Sequence, residues 1–435
     1  MKKTIKTKFL LIGLLSAILV VLLACAVPKA AEPTPTTAPK VKAPIKITVL
    51  GDLSGPYAAI LKPWSNGMAD TVKLYNSKGG LDGHQVNLTF LDHSNDVKKA
   101  LGLYSSMVTG SDKPLIYIGV SSTVDMALKE KIAEDQIVEV TTGAASPAFV
   151  PVGWIFGYAP PYASMMGGFT DWMLKDWKTS ATHDGPPRLA YLAWDIAFGK
   201  ACDTSETQAY LKSKGVEVVA REWTPVAPVS VSENMLRIRD AKADWVVSFV
   251  QSQYNSVVFR DAFNLSMTPP NVRYAAIYTG VDALLYSLVP KETEVIKPVS
   301  IGAFQNFFDK NDTLVQKYEE MFTQNNRTQT DRSAYCGSGR ALGVAVSMMQ
   351  EALKTTEFDK LNGAAVYKAA QTMNGVDVDK PVFGVSGYVV SYSSTKRAPD
   401  KMYLGQAGSQ AQGILPITSW FDAPDLLPGG KDVPK

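Results

Sequence analysis

Between Val49 and Asp96 the chain reads as a strand, a short polar loop, a helix, a glycine turn and a second strand. The loop is Leu53-Ser54-Gly55-Pro56-Tyr57, and the helix after it ends at Asn76-Ser77-Lys78-Gly79-Gly80. A polar loop at the carboxyl end of a strand sits where open α/β sheets bind ligands. Two further segments offer the same chemistry, Gly119-Val120-Ser121-Ser122-Thr123 and Thr142-Gly143-Ala144-Ala145-Ser146-Pro147. Backbone N–H groups at a helix start, together with the helix dipole, favour an anion or polar group. Ser-Ser-Thr before a helix is equally an ordinary N-cap, and Gly-Ala-Ala-Ser-Pro an ordinary turn. Aromatic residues crowd the same strand ends: Tyr57, Trp64, Trp154, Trp194, Phe198, Tyr254 and Tyr278. Tyr57, Phe198, Tyr254 and Tyr278 are the expected liners of a site for a flat or apolar solute, whereas Trp154 and Trp194 flank apolar strands and read equally as core. Asp195 and Gln251 are the expected polar contacts, and Gln253 a weaker one.

Catalytic patterns are missing from the sequence. His84, His93 and His183 fall in turns expected at the surface, without a metal-ligand partner at helical spacing. Neither a Gly-x-Ser-x-Gly elbow nor a phosphate-binding glycine loop occurs. Asp92 and Asp96 could pose as a carboxylate pair but read better as a strand-to-helix cap. Beyond Cys25 only Cys202 and Cys336 remain, too few for a cysteine metal site, and both are expected as free, buried thiols. Neither a cofactor nor a metal is expected.

The elements that would position these loops alternate regularly. Strands are expected at Ile45–Leu50, Val86–Leu91, Leu115–Val120 and Ile137–Thr141, with helices at Ser65–Ser77, Val97–Thr109 and Thr123–Glu134. After Trp154–Tyr158 a second set begins, with strands at Leu189–Trp194, Val216–Arg221, Trp245–Val250 and Val272–Ile277. Its helices are expected at Ala163–Trp177, Gly199–Lys214, Ser232–Ala241 and Tyr254–Asn264. Runs such as Trp245-Val246-Val247-Ser248-Phe249-Val250 lack alternation, as strands covered on both faces do. Two successive strand–helix sets predict an α/β protein of two doubly wound parallel-sheet lobes. A strand at Val299–Phe304, helices at Asp312–Gln324, Gly337–Lys354 and Leu361–Met373, and short strands up to Ile417 complete the chain.

At 435 residues, 46% hydrophobic and 20% charged, the chain has the length and composition of a two-domain globular protein. Its net charge of +3 is small and its basic residues are scattered, which excludes a nucleic-acid partner. The N-terminus is different. Lys2, Lys3, Lys6 and Lys8 precede an apolar run from Phe9 to Ala26, the charged and apolar regions of an export signal. The run closes on Leu22-Leu23-Ala24-Cys25, which resembles a bacterial lipobox with Cys25 as the acylated residue. A single transmembrane anchor is the alternative, since about 18 apolar residues just span a bilayer. Residues 26–44 hold Pro28, Pro33, Pro35, Pro39 and Pro44 among Ala, Thr and Lys, a tether able to reach on the order of 60 Å in polyproline geometry.

From Ile45 to about Gly413 the chain resembles a type I periplasmic solute-binding protein of the branched-chain amino acid ABC-transporter family. The resemblance implies a receptor rather than an enzyme, with two lobes joined by a multi-crossing hinge that close on a small organic solute. It implies lobe one as residues 45–160 with about 283–356, lobe two as about 161–282 with about 357–420, and 421–435 as a tail. Permease and ATPase subunits, a lipid-anchored extracytoplasmic location and a monomer are implied as well. By resemblance, Tyr57 stacks on ligand, Ser121 and Ser122 supply a hydroxyl and backbone amides, and Ala144, Ala145 and Ser146 form the turn that clamps a carboxylate. The departures matter. Ala145 stands where a threonine holds an amino acid's carboxylate, Phe198 replaces a tyrosine, and Thr279 falls near the acid that grips the amino group. An unpaired buried ammonium costs several kcal/mol, on the order that would leave an amino acid poorly held. The implied solute is amino-acid-like, an amide or an aromatic acid. A sensing module for a signalling receptor and a lipid-anchored hydrolase are the rival readings.

Overall fold

A computed structural model of the chain describes residues 42–434, apart from 111–112, 180–184 and 303–309. Cys25, the tether up to Val41 and His183 lie outside the described residues. From Ala43 onward the chain forms one compact unit with its own core.

Five parallel strands build the first sheet: β1 (Ile45–Gly51), β2 (Val86–Asp92), β3 (Ile116–Gly119), β4 (Val138–Thr141) and β5 (Ile155–Gly157). Their order is β2-β1-β3-β4-β5. The Ile-Tyr-Ile-Gly of β3 and the Val-Glu-Val-Thr of β4 are buried throughout, as continuous runs in parallel sheets are. The second sheet repeats that order with β6 (Arg188–Trp194), β7 (Glu217–Thr224), β8 (Trp245–Phe249), β9 (Arg273–Ile277) and β10 (Val299–Gly302), arranged β7-β6-β8-β9-β10. A small antiparallel pair, β11 (Val376–Asp377) and β12 (Val389–Val390), lies apart. Antiparallel strands β13 (Lys401–Ala407) and β14 (Ile414–Pro416) then extend the second sheet beyond β10, and β15 (Phe421–Asp422) pairs with β13. The expected pair of doubly wound α/β lobes is present. In each, the order reverses between the first strand and the third, and crevices open at carboxyl ends of such strands.

Two expectations about lobe membership are corrected. Val299–Gly302, expected in lobe one, is the fifth strand of the second sheet, with Val299 opposite Ala275 on β9 and Gln406 on β13. Helices Ala283–Leu288 and Pro290–Ile296 form the crossover that a parallel β9–β10 pair requires. Conversely, Gly363–Ala370 packs on β4 and on helix Arg340–Leu353, against the first sheet rather than the second. The described part of the expected tail, residues 421–434, is docked: Leu426 is buried against Ala163 and Tyr210.

Helix boundaries depart from expectation where packing outweighs local signals. The first helix runs Ala58–Ser77 and carries Pro63 inside it, seven residues ahead of the expected start. Burial of Ile60, Leu61, Trp64 and Met68 outweighs the hydrogen bond that Pro63 removes. The expected Gly199–Lys214 helix is two, Ala197–Lys200 and Ser205–Ser213, the second capped by Thr204, which accepts from the Thr207 N–H. Gly67 lets the segment around Tyr335 and Ser338 lie against the first helix, since a Cβ there would meet Tyr335 O and Ser338 Oγ.

Candidate functional site

Loops from the carboxyl ends of both sheets meet across one cleft. The first, after β1, is pinned by two carboxylates. Asp52 accepts from the N–H groups of Gly55 (2.5 Å) and Tyr57 (3.0 Å). Asp92 accepts from Leu53 N–H (2.8 Å), Ser54 O–H (2.6 Å) and Ser94 N–H (3.0 Å). Burial works against the charge on Asp92, yet these donors and Lys99 hold its carboxyl below the usual range; burial dominates at Asp52, whose carboxyl is raised. Asp96 caps the next helix by accepting from Lys99 N–H, so both aspartates serve the loop and cap roles expected of them. Thus fixed, Tyr57 reaches the other lobe, edge-on to Trp194 and Phe198 at 5.4 and 6.1 Å between ring centres. Next to it, Gln253 Nε2 donates to Pro56 O at 3.0 Å. The two lobes therefore touch along this rim.

The second loop opens helix Ser122–Glu134. Ser121 occupies the N-cap position, but its hydroxyl donates to the Asn95 side chain (2.9 Å) and makes no cap bond. First-turn N–H groups of a helix have no partner within it, and here the capping side chain does not serve them. Ser122 Oγ is buried without a hydrogen-bond partner. The third loop, after β4, presents Thr142 and Gly143 to the cleft. Gly143 N–H donates to Thr141 Oγ1 (2.8 Å), and the Thr141 hydroxyl donates to Asp125 (2.6 Å).

Beneath these loops lies a buried acid pair that sequence reading missed. Asp125 and Glu139 are both shielded from solvent, and Tyr117 O–H donates to Glu139 Oε2 at 2.6 Å. The facing oxygens, Asp125 Oδ1 and Glu139 Oε1, have no donor partner, so one proton shared between them is what lets the carboxyls approach. Burial, then their mutual repulsion, pushes Glu139 far above the carboxylate range, and burial raises Asp125. Gly119 makes room: a Cβ there would collide with both carboxyls. His93, expected at the surface, is fully buried; its Nδ1 accepts from Asn95 N–H (2.9 Å), and burial lowers its pKa to about 4. His84 is also buried, stacked on Phe358.

From lobe two, Phe198, Gln251 and Thr279 face the cleft. Gln251 Oε1 and Thr279 Oγ1 are buried without partners. Of the residues singled out in the sequence, Tyr57, Trp64, Ser121, Ser122, Phe198, Gln251 and Thr279 therefore line one cavity. The others are elsewhere. Ala144, Ala145 and Ser146 are buried behind the third loop, where Ala144 O accepts from Tyr162 N–H and Ala145 starts helix Ser146–Phe149. Asp195 is exposed and paired with Lys200 at 2.5 Å. Tyr254 packs behind Trp194 at 5.2 Å rather than lining the cavity. The Tyr278 side chain lies outside the described residues. Trp154 stacks on Tyr367 and Trp194 is fully buried, the core reading in both cases. Cys202 and Cys336 are free and buried.

Beyond the polar loops the cavity continues into an apolar arm. Its lining is Ile60, Leu61 and Trp64 of the first helix, with Val281, Tyr403 and Ile414. Helical spacing from Tyr57 through Ile60 and Leu61 to Trp64 was visible in the sequence, though it reads equally as core. Tyr403 and Ile414 carried no signal, because strands β13 and β14 enter the second sheet from far along the chain. Counting its open mouth, the cleft holds about 1160 Å³ of unfilled space.

A model of the family described as "Periplasmic binding protein" matches residues 44–412. The chain is 26% identical over 147 residues to the Leu/Ile/Val-binding protein homolog 3 of Brucella melitensis, covering 33% of this chain and 40% of that relative. A branched-chain amino acid ABC transporter protein of Thermus thermophilus with bound valine has the same fold, at TM-score 0.76 and 17% identity over 88% of this chain and 97% of the other. The fatty acid ABC transporter substrate-binding protein of Thermomonospora curvata also shares it, at TM-score 0.72 and 17% identity over 90% and 95%. With the family model spanning both lobes and the cleft between them, the chain belongs to the periplasmic binding protein family.

Proposed function

We propose that this protein is the extracytoplasmic receptor of an ATP-driven importer, capturing a small organic solute by closure of its two lobes. The observation that carries this reading is the set of buried, unpartnered polar atoms on both walls of one cavity. Ser122 Oγ comes from lobe one, Gln251 Oε1 and Thr279 Oγ1 from lobe two. Buried polar groups are normally hydrogen-bonded, so these are groups waiting for a partner that bridges the lobes. A solute that meets both walls only when they are closed shifts the population toward that form. Closure joins surfaces of both lobes for a permease to read.

A thermal-shift screen of branched-chain and aromatic amino acids, short amides and aromatic carboxylates tests the cleft. A ligand at 100 times its dissociation constant stabilises by about 2.7 kcal/mol. Hits on the native protein should vanish in the Tyr57→Ala, Ser122→Ala double variant, and a hit that persists there would remove the cleft from the mechanism. Lipid attachment at Cys25 is part of the same proposal. Radiolabelled palmitate should mark the native protein in bacterial cells and leave Cys25→Ser unlabelled; equal labelling of the two would end the anchor reading.

A further inference from the structure

On the reading that this cleft is the receptor's binding site, we infer that its solute is an elongated apolar acyl compound with one carboxylate or carboxamide head and no ammonium group. Three observations carry this. First, the unpartnered groups at the polar end are two hydroxyls and an amide oxygen, beside the start of helix Ser122–Glu134. Hydroxyls and helix-start N–H groups donate to an acyl oxygen, and the Gln251 amide can orient either end toward a carboxylate or a carboxamide. Second, nothing at that end is built for a cation. Among the described lining residues the carboxylate is that of Asp282, whose Oδ1 caps the next helix by accepting from Leu284 N–H (2.9 Å) and Leu285 N–H (3.1 Å). Burial also raises its pKa to about 6, disfavouring the charged form an ammonium needs. The lining guanidinium of Arg332 is bonded to Glu319 at 3.0 and 2.5 Å, so the head is held by neutral donors rather than a free cation. Third, the rest of the lining is apolar or aromatic, with Ile60, Leu61 and Trp64 from the first helix beside Val281, Tyr403 and Ile414, an arm suited to an apolar body. An apolar body in it gains about 0.8 kcal/mol, or three- to fourfold in affinity, for each buried methylene.

The test is calorimetric titration of the compact body from Ala43 onward with straight-chain carboxylates from two to twelve carbons. Their primary carboxamides, their 2-amino counterparts, leucine and valine complete the panel. Affinity should rise three- to fourfold per methylene until the arm is full, and an added amino group should weaken binding at least about 100-fold. Ile414→Trp should move the optimum to shorter chains. Whether carboxylate or carboxamide binds more tightly assigns the charge of the head, and either supports the class. A flat dependence on chain length, equal or tighter binding of the amino acids, or no binding across the acyl series would overturn it. Leucine or valine binding that is lost in the Tyr57→Ala, Ser122→Ala variant would overturn the solute class and leave the receptor standing. Acyl binding that survives in that variant would instead remove the cleft, and the receptor reading with it.

Discussion

A glutamate in the centre of a strand buried on both faces is costly unless it sheds its charge, and Glu139 sheds it by sharing a proton with Asp125. The pair ties β3 and β4 to the helix that opens the second cleft loop, through Tyr117 on one side and Thr141 on the other. Because both carboxyls are raised, the folded protein keeps a proton that the unfolded chain releases above about pH 4.5. Stability contributed by this site is therefore present at acid pH and falls as pH rises, by up to about 1.4 kcal/mol per unit while one proton separates the states. His93 acts the other way. Its folded pKa lies below its unfolded value of 6.5, so its contribution is present above pH 6.5 and lost as pH falls toward about 4. Glu139→Gln puts an amide N–H where the shared proton stands. It should leave the melting temperature near pH 5 little changed and raise it by a few degrees at pH 8, flattening the alkaline limb. Calorimetric scans across that range check this, and an equal loss at both pH values would show that the pair shares no proton.

At the scale of elements, the strands were legible because apolar runs without alternation have few other readings in a chain of this length. Helix limits were less so. The first helix was expected from Ser65, and the burial of Ile60, Leu61, Trp64 and Met68 explains why it starts at Ala58 and runs through Pro63. The return of Val299–Gly302 to the second sheet was illegible for a different reason: register between β9 and β10 is a long-range pairing that no local pattern specifies. The same logic divides the site. Tyr57, Ser121, Ser122, Phe198, Gln251 and Thr279 belong to loops that leave strand ends, so locating the strands located them. Tyr403 and Ile414 reach the cleft only through the antiparallel extension, and Glu139 is hidden inside a strand whose pattern promised nothing but core. Thr142 and Gly143, rather than Ala144 to Ser146, face the cavity because the turn buries its later residues as the start of a short helix. A turn motif places a loop; which of its residues points outward is settled by what packs behind it.

For the whole molecule, the contact that bears most directly on closure is the rim where the lobes meet. Gln253 Nε2 bonds to Pro56 O, and Tyr57 sits edge-on to Trp194 and Phe198. A neutral hydrogen bond contributes about 0.5–1.5 kcal/mol net, and an aromatic pair about the same beyond burial. Under the proposed closure, contacts of that size would bias a two-state equilibrium several-fold without locking it. They also leave room for a solute to supply the rest, which a rigidly closed receptor could not admit. The apparent dissociation constant scales inversely with the fraction of molecules in the binding-competent form. Gln253 does not line the cavity, so Gln253→Ala removes a cross-lobe bond while sparing the solute's own contacts. Solute-free Gln253→Ala should populate the open form more, seen as a larger radius of gyration in small-angle scattering, and bind two- to tenfold more weakly, the factor expected for one such bond. Unchanged scattering with weakened binding would place Gln253 on the solute instead; if neither changes, the rim contact is incidental and closure is driven from within the cleft alone.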